Sequence, residues 1–222
     1  MIYPFFKRAF DIAAAGLGLL IIAPLLLLLA LAVRLRMGSP VLFKQTRAGR
    51  NETPFLIVKF RSMADARARD GSLLPDEQRL TLLGKLLRRS SLDELPELWN
   101  VLKGDMSLVG PRPLFMKYLP YYTNSERARF SVAPGITGLA QIKGRNNLPW
   151  DDRLALDVEY VHSRSLLLDL RILFGTIQSV LVSRGVVTAP RTAMLDLDEE
   201  RKLKSTGGAP IAPMPERENA AH

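Results

Sequence analysis

The chain contains no cysteine, which excludes disulfide bridges and cysteine-held zinc sites and fits a reducing cytoplasmic setting. Its two histidines, His162 and His222, are too few for a histidine-rich site. Aromatic residues make up 7% of the sequence, and neither a nucleic-acid motif nor an aromatic-basic platform is visible. No internal repeat divides the chain. What is present is a 47% hydrophobic content beside 24% charged residues, with 31 Lys and Arg against 22 Asp and Glu. The formal charge of +9 and pI near 10.1 call for an anionic partner: nucleic acid, acidic lipid or a phosphorylated substrate. At 222 residues there is room for one medium domain and an appendage.

Ile12 to Val33 is an uncharged run of 22 residues dominated by Leu, Ile and Ala, long enough as a helix to cross roughly 30 Å of hydrocarbon. A secretory signal is disfavoured, because no small-residue cleavage site separates the run from Arg34 and Arg36. Lys7 and Arg8 precede it, while Arg34, Arg36, Lys44, Arg47 and Arg50 follow, so both flanks carry the cytoplasmic signature. Pro24 removes the helical bond to Leu20 and predicts a kink. The residues alone favour a kinked span; the alternative is a hairpin of two short helices that enters and leaves on one side.

Beyond Val41 the pattern predicts two short strands, 41–46 and 55–61, around a loop. Phe55, Ile57, Lys59 and Arg61 then share one face, which places two cations on a common edge. Leu80 to Arg89 has amphipathic helical spacing, with Lys85, Arg88 and Arg89 forming a basic face suited to lipid headgroups. Leu95 to Lys103 reads as a short helix ending at Gly104, and 110–113 and 134–138 read as loops. Helices are expected over 151–161 and 166–182. Past Ser205 the composition is too poor in apolar residues to fold alone.

The chemistry centres on Asp93 and Glu94. Ser91-Leu92-Asp93-Glu94 matches a capping box, with Ser91 as N-cap and Glu94 closing it, and acids suit a helix start on structural grounds alone. Against that stands Pro96, which restricts the turn, and a supply of cations in Lys59, Arg61, Arg88, Arg89, Lys103 and Arg112. Adjacent carboxylates in a partly buried site repel unless cations or a divalent metal compensate. Mg²⁺ suits such a pair, since it is held by one or two carboxylates together with substrate phosphates. One carboxylate can then hold the metal while its neighbour attacks phosphorus.

Several segments together resemble the bacterial sugar transferase family, specifically its small monotopic phosphoglycosyl transferases. They are the proline-broken apolar run, Val41-Leu42-Phe43-Lys44-Gln45 with Arg47-Ala48-Gly49, Lys59-Phe60-Arg61-Ser62-Met63, and Asp93-Glu94-Leu95-Pro96-Glu97-Leu98-Trp99-Asn100. The likeness continues through Gly104-Asp105-Met106-Ser107, Gly110-Pro111-Arg112-Pro113, Pro134-Gly135-Ile136-Thr137-Gly138, Gln141, Gly144-Arg145, and Asp157 with Tyr160. The resemblance implies that Asp93 is a nucleophile forming a covalent sugar-phosphate intermediate and that Glu94 binds Mg²⁺, with Asp93 as a second metal candidate. Lys59, Arg61, Arg88 and Arg112 are the implied phosphate or headgroup contacts, with Gln141 and Arg145 on the nucleotide side and Asp157 as a further substrate contact. The substrates implied are a UDP-sugar and polyprenyl (undecaprenyl) phosphate.

The resemblance also implies a re-entrant N-terminal helix kinked at Pro24 in the bacterial inner membrane, with the catalytic domain on the cytoplasmic face. Here Ala23 stands where such proteins often carry serine. The expected fold is α+β and mostly helical: a re-entrant membrane helix over 1–38, a catalytic domain over 39–190 with amphipathic interfacial helices and a small β element, and a tail over 191–222 that is largely disordered after about 205. The chain reads as the minimal catalytic form, without extra transmembrane helices, and a homodimer is admissible. The competing reading is a noncatalytic membrane-tethered module that binds anionic lipid or nucleic acid through its basic surface.

Overall fold

The apolar N-terminal sequence forms a helix of 36 residues, α1 (Ile2–Met37), with Pro24 inside it. The computed structural model describes residues 2–144, 148–181 and 195–205. After α1 come the strands β1 (Leu42–Ala48) and β2 (Pro54–Phe60), then the helices α2 (Asp76–Arg79), α3 (Leu82–Ser90) and α4 (Glu97–Lys103). Strands β3 (Ser107–Val109) and β4 (Gly135–Thr137) follow, then α5 (Leu139–Lys143), α6 (Trp150–Ser163), α7 (Leu166–Leu181) and α8 (Leu197–Ser205). Helix predominates and the sheets are small, as the α+β reading expected.

The domain grips α1 on both sides of Pro24. Before the proline, Ala15 is buried against Ile57, Val101 and Met106. Arg8 donates to the carbonyls of Val101 (2.6 Å) and Leu102 (2.9 Å) in the last turn of α4, where helix carbonyls run short of amide partners. Asp11 accepts from Ser107 Oγ (2.7 Å) and the Leu108 amide (3.2 Å), while Tyr3 and Lys7 both donate to Asp169 of α7. After the proline, Val33 packs with Phe60 and Leu87. Arg61 donates to the carbonyls of Met37 and Ser39, closing the end of the helix.

Between these anchor points no residue of α1 is fully buried, and Leu17, Leu20, Ile21, Leu27, Leu28 and Leu31 are exposed. Its most apolar 18-residue stretch has a mean hydropathy of 2.8 and is only 6% buried. Large apolar side chains are also exposed on α3 (Leu82, Leu86), α4 (Trp99) and α7 (Phe174, Ile177). Exposure on this scale marks contact with lipid or another protein rather than an ordinary soluble surface.

Strands β1 and β2, expected as two short strands around a loop, pair antiparallel, in register from Leu42 opposite Phe60 to Ala48 opposite Pro54. The segment 134–138, expected as a loop, instead supplies β4, which pairs in parallel with β3. The reason is the close approach of two glycines: a Cβ on Gly135 would lie 2.1 Å from the Gly110 nitrogen, so only bare backbone lets these chains meet.

A second departure is α8, in the stretch that the sequence assigned to the tail. Leu197 is fully buried with Tyr118, Trp150 and Leu154, and Trp150 Nε1 donates to the Leu195 carbonyl at 2.9 Å. Residues 206–222 lie outside the described residues.

Candidate active site

The site is assembled where α3 crosses the end of β2. A Cβ on Gly84 would fall 1.8 Å from the Ser62 carbonyl oxygen, so glycine is what admits the crossing. Arg88, one turn further along α3, then donates Nε to Ser62 Oγ at 2.9 Å. The helix stops at Ser91, whose backbone is left-handed (φ 57°), and Leu92–Glu94 forms a 3₁₀ turn before α4. The capping box does not form. Ser91 makes no side-chain cap because it serves as the C-cap of α3, while α4 begins only at Glu97, behind Pro96. Asp93 and Glu94 therefore sit in a tight turn between two helices.

Neighbouring elements fix that turn. Asn100 of α4, fully buried, accepts from the Val58 amide (3.1 Å) and donates to the Leu56 carbonyl (2.7 Å), locking α4 to β2. This brings Lys59 of β2 to Glu94 Oε1 at 2.6 Å, and Arg112, in the loop after β3, reaches the same oxygen at 2.7 Å. Lys59 Nζ also lies 2.9 Å from Glu97 Oε1, off the direction needed for a hydrogen bond. One lysine thus serves two carboxylates.

The electrostatic consequences differ for the three acids. Burial pushes Glu94 up, but Arg112 and Lys59 more than offset it and hold the carboxyl well below the usual range. Burial dominates at Glu97, which is pushed up to about 7 despite Lys59, with the charge on Glu94 adding to the rise. Asp93 is raised by burial and then by Glu94, against the pull of Lys59, Arg88 and Arg112. Among the described residues Asp93 has no hydrogen bond or ion pair.

A cavity of about 930 Å³ opens over the dyad and is bordered by Lys59, Arg61, Arg88, Arg112, Gln141 and Asp157. The expected site residues meet here, with differences in what each is free to do. Arg61 spends its terminal nitrogens on the end of α1. Gln141 donates to the Ile136 carbonyl at 2.9 Å. Asp157 is 3% exposed and paired with Arg129. Pro24 is exposed on α1, His162 is exposed at the end of α6, and Arg145 lies outside the described residues.

Among the described residues no three His, Cys, Asp or Glu side chains form a metal cage. The donor set nonetheless fits a hard cation with few protein ligands. Glu94 Oε1 takes both nearby cations, leaving Oε2 without a bonded partner among the described residues, and Asp93 stands beside it. Magnesium is held in this manner, by one or two carboxylates completed by water and phosphate.

Residues 2–183 match the family described as "Bacterial sugar transferase". The chain belongs to the bacterial sugar transferase family. This sugar transferase is 53% identical over 190 residues to the "Uncharacterized sugar transferase EpsL" of Bacillus subtilis (strain 168), covering 83% of this chain and 94% of that protein. It is 42% identical over 189 residues to the "UDP-glucose:undecaprenyl-phosphate glucose-1-phosphate transferase" of Caulobacter vibrioides, covering 80% and 70%. To the "Exopolysaccharide production protein ExoY" of Rhizobium meliloti it is 38% identical over 196 residues, covering 81% and 87%. It is therefore an enzyme, a phosphoglycosyl transferase, and the noncatalytic tether is set aside.

Sequence reasoning missed two residues of the sugar transferase's site. Glu97 reads as one more acid at a helix start, and only its three-residue spacing from Glu94 hinted that both could face Lys59. Arg129 lies in the 3₁₀ segment Glu126–Ser131 and carries no periodic signal.

Proposed function

We propose that this phosphoglycosyl transferase moves a sugar 1-phosphate from a UDP-sugar to polyprenyl phosphate, releasing UMP and making a polyprenyl diphosphate sugar. The observation that carries the reading is the split dyad: a raised Asp93, without a bonded partner among the described residues, beside a Glu94 clamped by two cations, under one cavity. A carboxylate of raised pKa is the better nucleophile once ionised, and the cations suit phosphate oxygens. In the first half-reaction an Asp93 oxygen attacks the phosphorus that bears the sugar; the bond from that phosphorus to the bridging oxygen breaks and UMP leaves. In the second, a phosphate oxygen of the lipid attacks the same phosphorus, and the Asp93 carboxylate departs.

Lys59, Arg88 and Arg112 neutralise the phosphate oxygens in both steps. Glu94, through its open oxygen, would hold Mg²⁺, which when bound supplies charge neutralisation at the diphosphate. The names of the relatives support the donor and acceptor classes and a place in exopolysaccharide production.

The geometry of α1 supports a re-entrant arrangement. Both of its ends are bonded to the same domain, through Arg8 and Asp11 on one side and the Met37 carbonyl on the other, while the apolar stretch between them is largely unburied. A helix held this way dips into a leaflet and returns, which keeps the dyad at the cytoplasmic face of the inner membrane, beside a lipid-anchored substrate.

The decisive experiment measures UMP release by the purified enzyme across a panel of UDP-sugars, with Mg²⁺ and undecaprenyl phosphate. Asp93→Asn should fold and release no UMP from any of them; undiminished release removes Asp93 as the nucleophile. Glu94→Gln should lose activity or its Mg²⁺ requirement, and a fully active, equally Mg²⁺-dependent variant removes Glu94 as the ligand.

A further inference from the structure

Arg129 takes no part in the steps above, yet it borders the cavity as a buried, fully engaged cation. It is 2% exposed, and its guanidinium spans three partners on different elements. Nε and Nη2 donate to Asp157 Oδ2 of α6 at 3.1 and 2.8 Å. Nη1 reaches the Tyr122 hydroxyl at 3.4 Å, and Nη2 donates to the Arg112 backbone carbonyl at 2.6 Å. Arg112 in turn extends its side chain to Glu94.

A buried ion pair is weak evidence for stability, because the cost of removing both charges from water offsets their attraction. What such a pair can supply is a fixed direction. The planar fork of arginine binds a carboxylate and a carbonyl together in one fixed geometry, whereas the flexible ammonium of lysine sets no such direction. Asp157, for its part, is ill placed to meet substrate, since it is 3% exposed and its Oδ2 already accepts two bonds.

We infer that Arg129 and Asp157 are a positioning pair that sets the Gly110–Pro113 loop, so that the Arg112 guanidinium is held where the phosphate passes. The inference rests on the role given to Arg112 in the proposed reaction and moves Asp157 from substrate contact to support of another residue. The pair is anchored from behind. Trp150 and Leu154, early in α6, are packed with Tyr118 and Leu197, so α6 presents Asp157 from a rigid base.

The test uses the full chain with Mg²⁺ and three substitutions: Arg129→Lys, Asp157→Asn and Arg112→Lys. Amide hydrogen exchange over residues 108–116 is the first readout. Arg129→Lys and Asp157→Asn should speed exchange there and leave the β1–β2 hairpin and α4 unchanged. Unchanged exchange in the loop overturns the pairing, as does a rise spread through the whole chain, which would mean a merely structural role.

UMP release is the second readout. Each of these two variants should lose about tenfold to a hundredfold, the scale of a ~1 Å misplacement. Adding Asp157→Asn to Arg112→Lys should cost under about threefold more, since residues acting through one another are not additive. Losses that multiply would place Asp157 on the substrate and overturn the inference. If the unmodified enzyme releases UMP from no UDP-sugar, the proposed reaction fails while the exchange result still decides the pair.

Discussion

Glu97 offers a test of the site's electrostatics that needs no substrate. Glu97 is 2% exposed, and burial outweighs the pull of Lys59, so the pKa rises from 4.5 to about 7, with the charge on Glu94 adding to the rise. A carboxyl whose folded pKa is raised favours folding while it is protonated. That contribution is complete below about 4.5, is lost as pH rises through about 7, and is flat beyond. A rise of this size, at roughly 1.4 kcal/mol per unit, amounts to about 3 kcal/mol.

Gln is a close mimic of the protonated acid. Glu97→Gln should therefore match the unmodified protein near pH 5 and be more stable than it near pH 8, by roughly 6–12 °C in thermal midpoint for a chain of this size. The assay is thermal unfolding in detergent with EDTA, followed by fluorescence; Trp99 and Trp150 report, the first on α4 and the second on α6. Equal stability of the two proteins at both pH values, or a variant less stable at pH 8, would refute the reasoning.

Two other consequences follow from the packing. Leu197→Ala removes a fully buried side chain that joins α8 to Tyr118 and Trp150, and should lower the thermal midpoint by roughly 4–20 °C, from about 2–5 kcal/mol of lost packing; an unchanged midpoint would show that α8 is not docked in solution. Because the chain has no cysteine, single substitutions at the exposed Pro4 and Arg36 give clean topology reporters. Both should react with a membrane-impermeant thiol reagent from the cytoplasmic side in inverted vesicles, and labelling from opposite faces would establish a span.

The residues most legible in the sequence were those whose local pattern has one physical explanation. The apolar run had to be a helix, and the alternation in 55–61 put Lys59 on the face that meets the dyad. Other features were hidden because their cause is distant in sequence. β4 is three residues long, too short for any periodicity, and exists because Gly110 and Gly135 approach. α8 (Leu197–Ser205) has little apolar content; it is held by one buried leucine and by ion pairs such as Arg201 with Glu126 and Asp151. The capping box was a true sequence match that lost to the C-cap of α3, since Ser91 cannot be left-handed and extended at once.

The same competition explains why adjacent carboxylates come to differ. In a helix, Asp93 and Glu94 would point about 100° apart on a shared surface and meet similar surroundings. The 3₁₀ turn that follows Ser91 instead sets them between two sources of cations, β2 and the loop after β3, which converge on Glu94 Oε1 rather than on Asp93. Once Glu94 is held ionised, its charge adds to the burial that raises Asp93. Environments that drive a pair of acids apart are how proteins assign two roles to one residue class. The proposed division, attack by Asp93 and metal binding by Glu94, needs no third catalytic group beyond the cations already in place, and it makes the position of Arg112 the variable on which the whole arrangement depends.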